Sequence, residues 1–164
     1  ERFNYKKQHI EADNRLIWDL GRLQEHYGKN ALYVYLKRDK DDIAKSFSRR
    51  TYYPNSMFKA YCDGIKKTPT EKLNQQELDI LAHDFVDNMT ASIELFLKQH
   101  PKHLIIELEH IEADFEKFWY YIKAEGDLRQ AKESFKKLHN VSKKKNYTTY
   151  HLKLFLLRIF KSVV

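Results

Sequence analysis

The segment YVYLKRDKDDIAKSFSRR, Tyr33–Arg50, joins an apolar run directly to a charged segment. Its aromatic and β-branched residues at the start are typical of a buried strand. Asp39 can cap a helix that begins at once after the strand, and Asp42 suits the positive amino-terminal end of that helix. The segment therefore predicts a strand that ends at Arg38, followed without a loop by a basic helix.

A second apolar run, HLIIELE, covers His103–Glu109 and follows Pro101. The first strand is predicted over Ala31–Arg38, preceded by a turn-like YGKN segment. Both runs are nearly continuous in apolar residues, as is expected for parallel strands covered on both faces. Two strands do not make a stable sheet core alone. We therefore expect further strands upstream.

Helical periodicity fills the remaining chain, and the longest periodic segment is Asn74–His100. Further helices are predicted within residues 12–28, 114–126, 127–140 and 150–164. The apolar stripe of the longest segment consists of Leu78, Leu81, Phe85, Met89, Ile93 and Phe96. The order helix, strand, helices, strand, helices indicates an α/β fold with a small parallel sheet flanked by helices, in a single domain over residues 1–164.

Composition limits the classes of function. The 164 residues carry a net charge of +7, which favours an anionic partner such as a phosphorylated or sulfated molecule, nucleic acid or an acidic membrane surface. Cys62 is the single cysteine, which excludes an internal disulfide and a cysteine-rich zinc site. His100 and His103 have a His-x-x-His spacing without a carboxylate or cysteine cluster, so no metal site is expected. No run approaches the roughly 20 apolar residues that span a bilayer.

Arg38 and Ser46 are the strongest candidates for chemistry. In open parallel α/β sheets, ligands bind beyond the carboxyl ends of the strands, where Arg38 is predicted to lie. A guanidinium can bind a phosphate through two parallel hydrogen bonds, and Ser46, two helical turns later, can donate a hydroxyl to the same anion. Alternatively, Arg38 extends into solvent and Ser46 is an ordinary helix residue.

The segment YVYLKRDKDDIAKSF resembles the 3′-phosphate-binding motif of sulfotransferases that use 3′-phosphoadenosine 5′-phosphosulfate (PAPS). In that family a strand ends in Arg-Asp or Arg-Asn, and a serine follows eight residues after the arginine. The resemblance implies that Arg38 and Ser46 bind the 3′-phosphate of PAPS. It also implies a P-loop-NTPase-like fold and sulfuryl transfer, without a metal, to a hydroxyl or amine of a carbohydrate or small molecule.

Two other segments extend the resemblance. KKQH, Lys6–His9, lies before the first strand, where cytosolic sulfotransferases carry a Lys-x-His. The resemblance implies that His9, assisted by Lys7, is the general base toward the acceptor hydroxyl, with Glu11 as the alternative because some relatives use a carboxylate. Near the carboxyl end, a basic segment is similar to that of bacterial sulfotransferase-like proteins, which implies 3′-phosphate contacts from Lys143, Lys144 and Lys145. Its alternative is a solvated basic turn.

One family motif is absent from the sequence. Sulfotransferases bind the 5′-phosphosulfate through a P-loop-like turn with closely spaced glycines, whose backbone N–H groups form the anion site. The four glycines here are widely separated, and neither G-x-x-x-x-G-K-S/T nor G-x-G-x-x-G occurs. The resemblance therefore covers the part downstream of the family's first strand. We expect a sulfotransferase fold without its N-terminal strand and loop, and leave activity of the isolated chain open.

Two alternatives remain from the residues. The net charge and the KKKNY segment fit a non-catalytic basic helical module that binds nucleic acid or an acidic partner. Recognition motifs for nucleic acid are absent, however, and acidic residues are interspersed through the basic stretches. Residues 150–164 alternate apolar and basic residues, as in helices that contact membrane surfaces, although a helix packed on the domain is favoured. A cytoplasmic location is expected.

Overall fold

The computed structural model describes residues 3–51, 53 and 55–136. The chain divides into two compact units, Glu1–Leu128 and Arg129–Val164. The α-helices are α1 (Leu20–His26), α2 (Lys40–Ser48), α3 (Met57–Ala60), α4 (Gln75–Lys98), α5 (Ile111–Tyr121) and α6 (Leu128–Glu133). The strands are β1 (Tyr33–Lys37) and β2 (His103–Glu107). The single domain over residues 1–164 stays a prediction.

The two strands pair in parallel, with Tyr33 opposite His103 and Lys37 opposite Glu107. This confirms the α/β class with a small parallel sheet flanked by helices, while the sulfotransferase fold itself stays a prediction. β2 ends earlier than predicted, because Leu108–His110 form a 3₁₀ turn. Residues after Glu107 have no partner in β1, which also ends at that register.

The connection from β1 to β2 is helical and begins as the sequence predicts. Asp39 caps α2 by accepting a hydrogen bond from the Asp42 amide at 2.9 Å. Asn74 and Glu77 form a capping box at the start of α4, which satisfies two backbone N–H groups that have no partner within the helix. α2 packs against α4, and Lys40 reaches Asp87 across this contact at 2.6 Å.

The core of the first unit lies between α2, α3 and α4. Its centre is Phe85 of α4, whose ring contacts those of Phe47, Phe58 and Tyr61 with centroids 5.0, 5.8 and 5.1 Å away. A π-helical turn, Tyr61–Ile65, continues α3 and buries Tyr61 and Cys62. The buried members of this cluster are Ala44, Phe58, Tyr61, Cys62, Leu78, Ala82, Phe85 and Val86.

The expectation that both strands are covered on both faces is wrong within the described residues. Val34 and Leu36 of β1 are 41% and 58% exposed, and Ile105 of β2 is 48% exposed. Tyr33, on the opposite face of β1 from Val34, packs instead against Phe96 of α4. β1 is therefore covered on one face by α4 and is open on the other.

The region before β1 is less regular than the predicted helix. Asp13 caps a 3₁₀ segment, Asn14–Asp19, that leads into α1. Leu23 is the buried residue of α1, and the Tyr33 hydroxyl donates to the Gly28 carbonyl at 3.1 Å. This contact ties the end of the α1 region to the beginning of β1.

The central position of Phe85 gives a test of the packing. We expect Phe85→Ala to lower the free energy of unfolding by about 3–5 kcal/mol, because it removes buried surface and leaves a cavity among three aromatic rings. Ile80→Ala on the same helix is the matched control, since Ile80 is 62% exposed. The control is expected to change stability by less than about 0.5 kcal/mol. Urea denaturation followed by circular dichroism measures both, and equal losses would contradict this core.

Candidate functional site

Arg38 follows the carboxyl end of β1, as the sequence predicts. Its guanidinium pairs with a carboxylate on the next helix, with Nη2 of Arg38 lying 3.1 Å from Oδ2 of Asp42. Both side chains are about half exposed. The backbone amide of Asp39 donates to Oε1 of Glu109 at 2.9 Å, which joins the ends of the two strands. Arg38 is thus positioned beside the amino terminus of α2, in contact with an anion that the protein itself supplies.

Ser46 is half-buried on α2. It lies four residues after Asp42, so these two positions share one face of α2, whereas Arg38 precedes the helix and its cap, Asp39. The neighbouring Ser48 has a different role, because it is fully buried and accepts a hydrogen bond from Gln75 at 3.3 Å. Arg38 therefore contacts Asp42 at the start of α2, and Ser46 lies about one turn beyond Asp42 on the same helix.

Carboxylates are numerous at the carboxyl edge of the sheet. Glu107 contacts Lys37 at 3.3 Å and His110 at 3.2 Å, and hydrogen bonds from Lys37 and then His110 lower the pKa of its carboxyl. The Asp114 carboxylate accepts hydrogen bonds from the Lys117 ammonium at 2.9 Å and from the Glu107 amide at 3.0 Å. Both bonds lower the pKa of Asp114, and the bond from Lys117 has the larger effect. Both groups are therefore negatively charged at neutral pH, each balanced by a nearby cation.

His9 and Glu11, the two candidates for the base, contact one another. Nε2 of His9 lies 3.0 Å from Oε2 of Glu11, and the His9 ring stacks on Tyr5 with centroids 5.0 Å apart. Tyr5 in turn stacks on Tyr27, which directly follows α1. Lys7 is exposed. The contacts of His9 thus lead to elements near the amino end of β1.

The structure does not join the predicted base to the predicted phosphate site by direct contact. Within residues 3–51, 53 and 55–136, neither His9 nor Lys7 contacts Arg38 or Ser46. Arg38 follows the carboxyl end of β1, whereas the contacts of His9 lead toward its amino end. Lys143, Lys144 and Lys145 lie outside the described residues. The roles of all seven residues named here stay predictions.

Two further groups considered for chemistry, Cys62 and His100, are buried. Burial raises the pKa of the Cys62 thiol to about 11, which disfavours the nucleophilic thiolate. His100 is buried, and its ring nitrogens contact the Phe96 carbonyl and the Gln24 side chain. Among the residues described, no group of three or more His, Cys, Asp or Glu side chains is arranged to bind a metal ion. No helix within the same residues has the length and apolar character needed to cross a membrane.

A groove between α4 and the sheet was not predicted from the sequence. It has a volume of about 270 Å³ and is lined by Tyr35, Lys37, Glu94, Leu97, Lys98, His103 and Ile105. In the sequence, the placement of the charged residues Glu94 and Lys98 on either side of Leu97 could have indicated this groove. These residues share one helical face with Leu97, where an apolar residue is usual in a helix that packs on a sheet.

Comparisons of this chain with protein-family models, with curated proteins and with solved structures found no match. The function is therefore inferred from the residues of this chain and their geometry.

The charge at the sheet edge predicts a dependence of stability on pH. Because the pKa of Asp114 is lower when folded, its ionisation stabilises the protein above the ordinary carboxyl pKa, and this contribution disappears as the pH falls through the lowered value. We expect Asp114→Asn to lower the melting temperature near neutral pH and to have little effect at about pH 2.

The matched control for this prediction is Glu112→Gln, an exposed carboxylate in the first turn of the same helix. Thermal denaturation at several pH values measures both variants. An equal loss for Asp114→Asn at every pH would show that the ionised carboxylate does not provide the stabilisation.

Proposed function

We propose that this chain is a sulfotransferase-like domain that binds the 3′-phosphate of PAPS and thereby supports sulfuryl transfer to a hydroxyl or amine of a carbohydrate or small molecule. The observation that carries the proposal is the position of Arg38 at the carboxyl end of a parallel strand, with Ser46 two turns into the capped helix that follows. This edge of a parallel sheet is where open α/β folds bind their ligands.

Binding would require Arg38 to exchange one anion for another. Its guanidinium now contacts Asp42, and that exposed ion pair is expected to stabilise the fold by only about 0–1 kcal/mol. A phosphate carries more negative charge than Asp42 and can bind the planar guanidinium through two oxygens, whereas the contact with Asp42 is through Nη2 and Oδ2 alone. The Ser46 hydroxyl could then donate to a third oxygen. Asp42 competes with the nucleotide, so its carboxylate sets the affinity of the site.

The residues fit one part of PAPS. Arg38 and Ser46 suit the 3′-phosphate, and the N–H groups at the start of α2 favour negative charge. PAPS itself would supply the activated sulfuryl group. These 164 residues contain no glycine-rich loop for the 5′-phosphosulfate, so the proposal assigns to them the 3′-phosphate part of the site. His9 or Glu11 would accept the acceptor's proton, although neither contacts Arg38.

Nucleotide binding provides the test. Calorimetric titration should show that the chain binds adenosine 3′,5′-bisphosphate more tightly than adenosine 5′-monophosphate, which lacks the 3′-phosphate. We expect Arg38→Ala to weaken bisphosphate binding by about 10- to 100-fold and to abolish this preference, since it removes a charge-assisted hydrogen-bond donor. Ser46→Ala should have a smaller effect in the same direction.

Asp42→Asn separates this site from a general effect of charge. Removing the competing carboxylate should increase bisphosphate affinity several-fold, because Arg38 is then free to pair with phosphate. Asp41→Asn is the matched control, with the same charge change one residue earlier on the same helix and no contact with Arg38. Equal increases for both variants, or unchanged binding by Arg38→Ala, would refute the assigned site.

A further inference from the structure

The groove between α4 and the sheet has an apolar floor. Tyr35 and Ile105 point to the same face of the sheet, because they are directly opposite in the parallel register. Leu97 of α4 is buried and closes the groove from the helix side. Ile105 nevertheless remains 48% exposed, so the helix does not close over the sheet at this point.

The polar residues around this floor explain why the helix and sheet do not close. On the side of α4 that lines the groove, Glu94 and Lys98 occupy positions where apolar residues are usual. Lys37 and His103 occupy such positions on the strands. Charged groups are costly to bury without partners, so they hold the layers open to solvent. An apolar floor with a few convergent polar groups is the usual composition of a small-molecule site.

The charge of the groove favours an anion. Lys98 provides a positive charge whose ammonium has no carboxylate partner within the described residues, whereas the ammonium of Lys37 is paired with Glu107 at 3.3 Å. Nδ1 of His103 lies 2.6 Å from the His100 carbonyl, which holds the ring beside the groove. Glu94 is the one negative group in the lining. The Lys40 ammonium, which is bonded to Asp87, also interacts favourably with Glu94 and partly offsets its charge.

We propose that this groove binds a small amphipathic anion, an aryl or alkyl carboxylate or its sulfate or phosphate counterpart. Its apolar body would lie on Tyr35, Leu97 and Ile105, and its anionic group would pair with Lys98. The volume of about 270 Å³ suits a single ring with a short side chain. The proposal does not depend on the PAPS site, because Arg38 and Ser46 do not line this groove.

Two probes of the same shape and opposite charge test the proposal. Phenylacetate should shift the methyl NMR signals of Leu97 and Ile105 in a saturable manner, whereas 2-phenylethylamine should not. Phenylphosphate and phenyl sulfate then distinguish the three kinds of anionic group. Lys98→Gln should weaken phenylacetate binding by about fivefold, and Glu94→Gln should strengthen it by about twofold.

Lys72→Gln is the matched control, since Lys72 is exposed and lies on a separate 3₁₀ turn, Thr70–Lys72. It should leave phenylacetate binding unchanged. Equal shifts with the amine and the carboxylate would overturn the proposal, as would the absence of saturable shifts. A loss for Lys98→Gln no larger than that for Lys72→Gln would overturn the role of Lys98. These measurements do not use a nucleotide, so their outcome is independent of the proposed PAPS site.

Discussion

The packing of α2 on α4 around Phe85 is the interaction on which the rest of the first unit depends. Parallel strands require a crossover connection, and here it runs from Lys37 to His103 through both helices. Phe85 contacts aromatic rings from α2, from α3 and from the π-helical turn that follows. Two strands of five residues contribute few hydrogen bonds and bury little apolar surface. The helical crossover therefore holds the sheet together, rather than the reverse.

Local signals in the sequence predicted the parts of this fold that depend on near neighbours. Asp39 was predicted to cap α2 and does so through the Asp42 amide, three residues later. The capping box of Asn74 and Glu77 was not predicted, but it has the same local spacing. The end of β2 was predicted at Glu109, two residues beyond the observed end at Glu107. The Glu109 carboxylate accepts the Asp39 amide, 70 residues away in the chain, and Leu108–His110 turn away from the sheet. A pattern of apolar residues carries no information about such a partner.

The candidate site shows the same division. The sequence predicted where Arg38 and Ser46 lie along the chain, because strand, cap and helix follow from local chemistry. It assigned Asp42 to the helix dipole, while the structure adds an ion pair between Asp42 and Arg38, which precedes the helix. This ion pair affects the proposed phosphate site, because Asp42 competes with any phosphate for the guanidinium of Arg38. The spacing of residues in the sequence identified Arg38 and Ser46 as candidates. Only the structure shows that the charge of Arg38 is neutralised by Asp42.

The strand β1 adjoins both proposed sites, because its side chains point alternately to the two faces of the sheet. Tyr35 and Lys37 line the groove beneath α4, Arg38 follows the end of the strand, and Val34 and Leu36 face the other side. The apolar run of β1 predicted that helices cover both faces of the strand. A helix, however, covers only the face on which it packs. α4 covers the Tyr33 side, and α5 packs beside β2, where Ile106 is 6% exposed. In the parallel register Ile106 is opposite Leu36 and lies on the same face, so this face is buried at Ile106 of β2 but exposed at Val34 and Leu36 of β1. The residue types of a strand thus indicate that it favours burial. The arrangement of the helices around the strand decides which of its faces is buried.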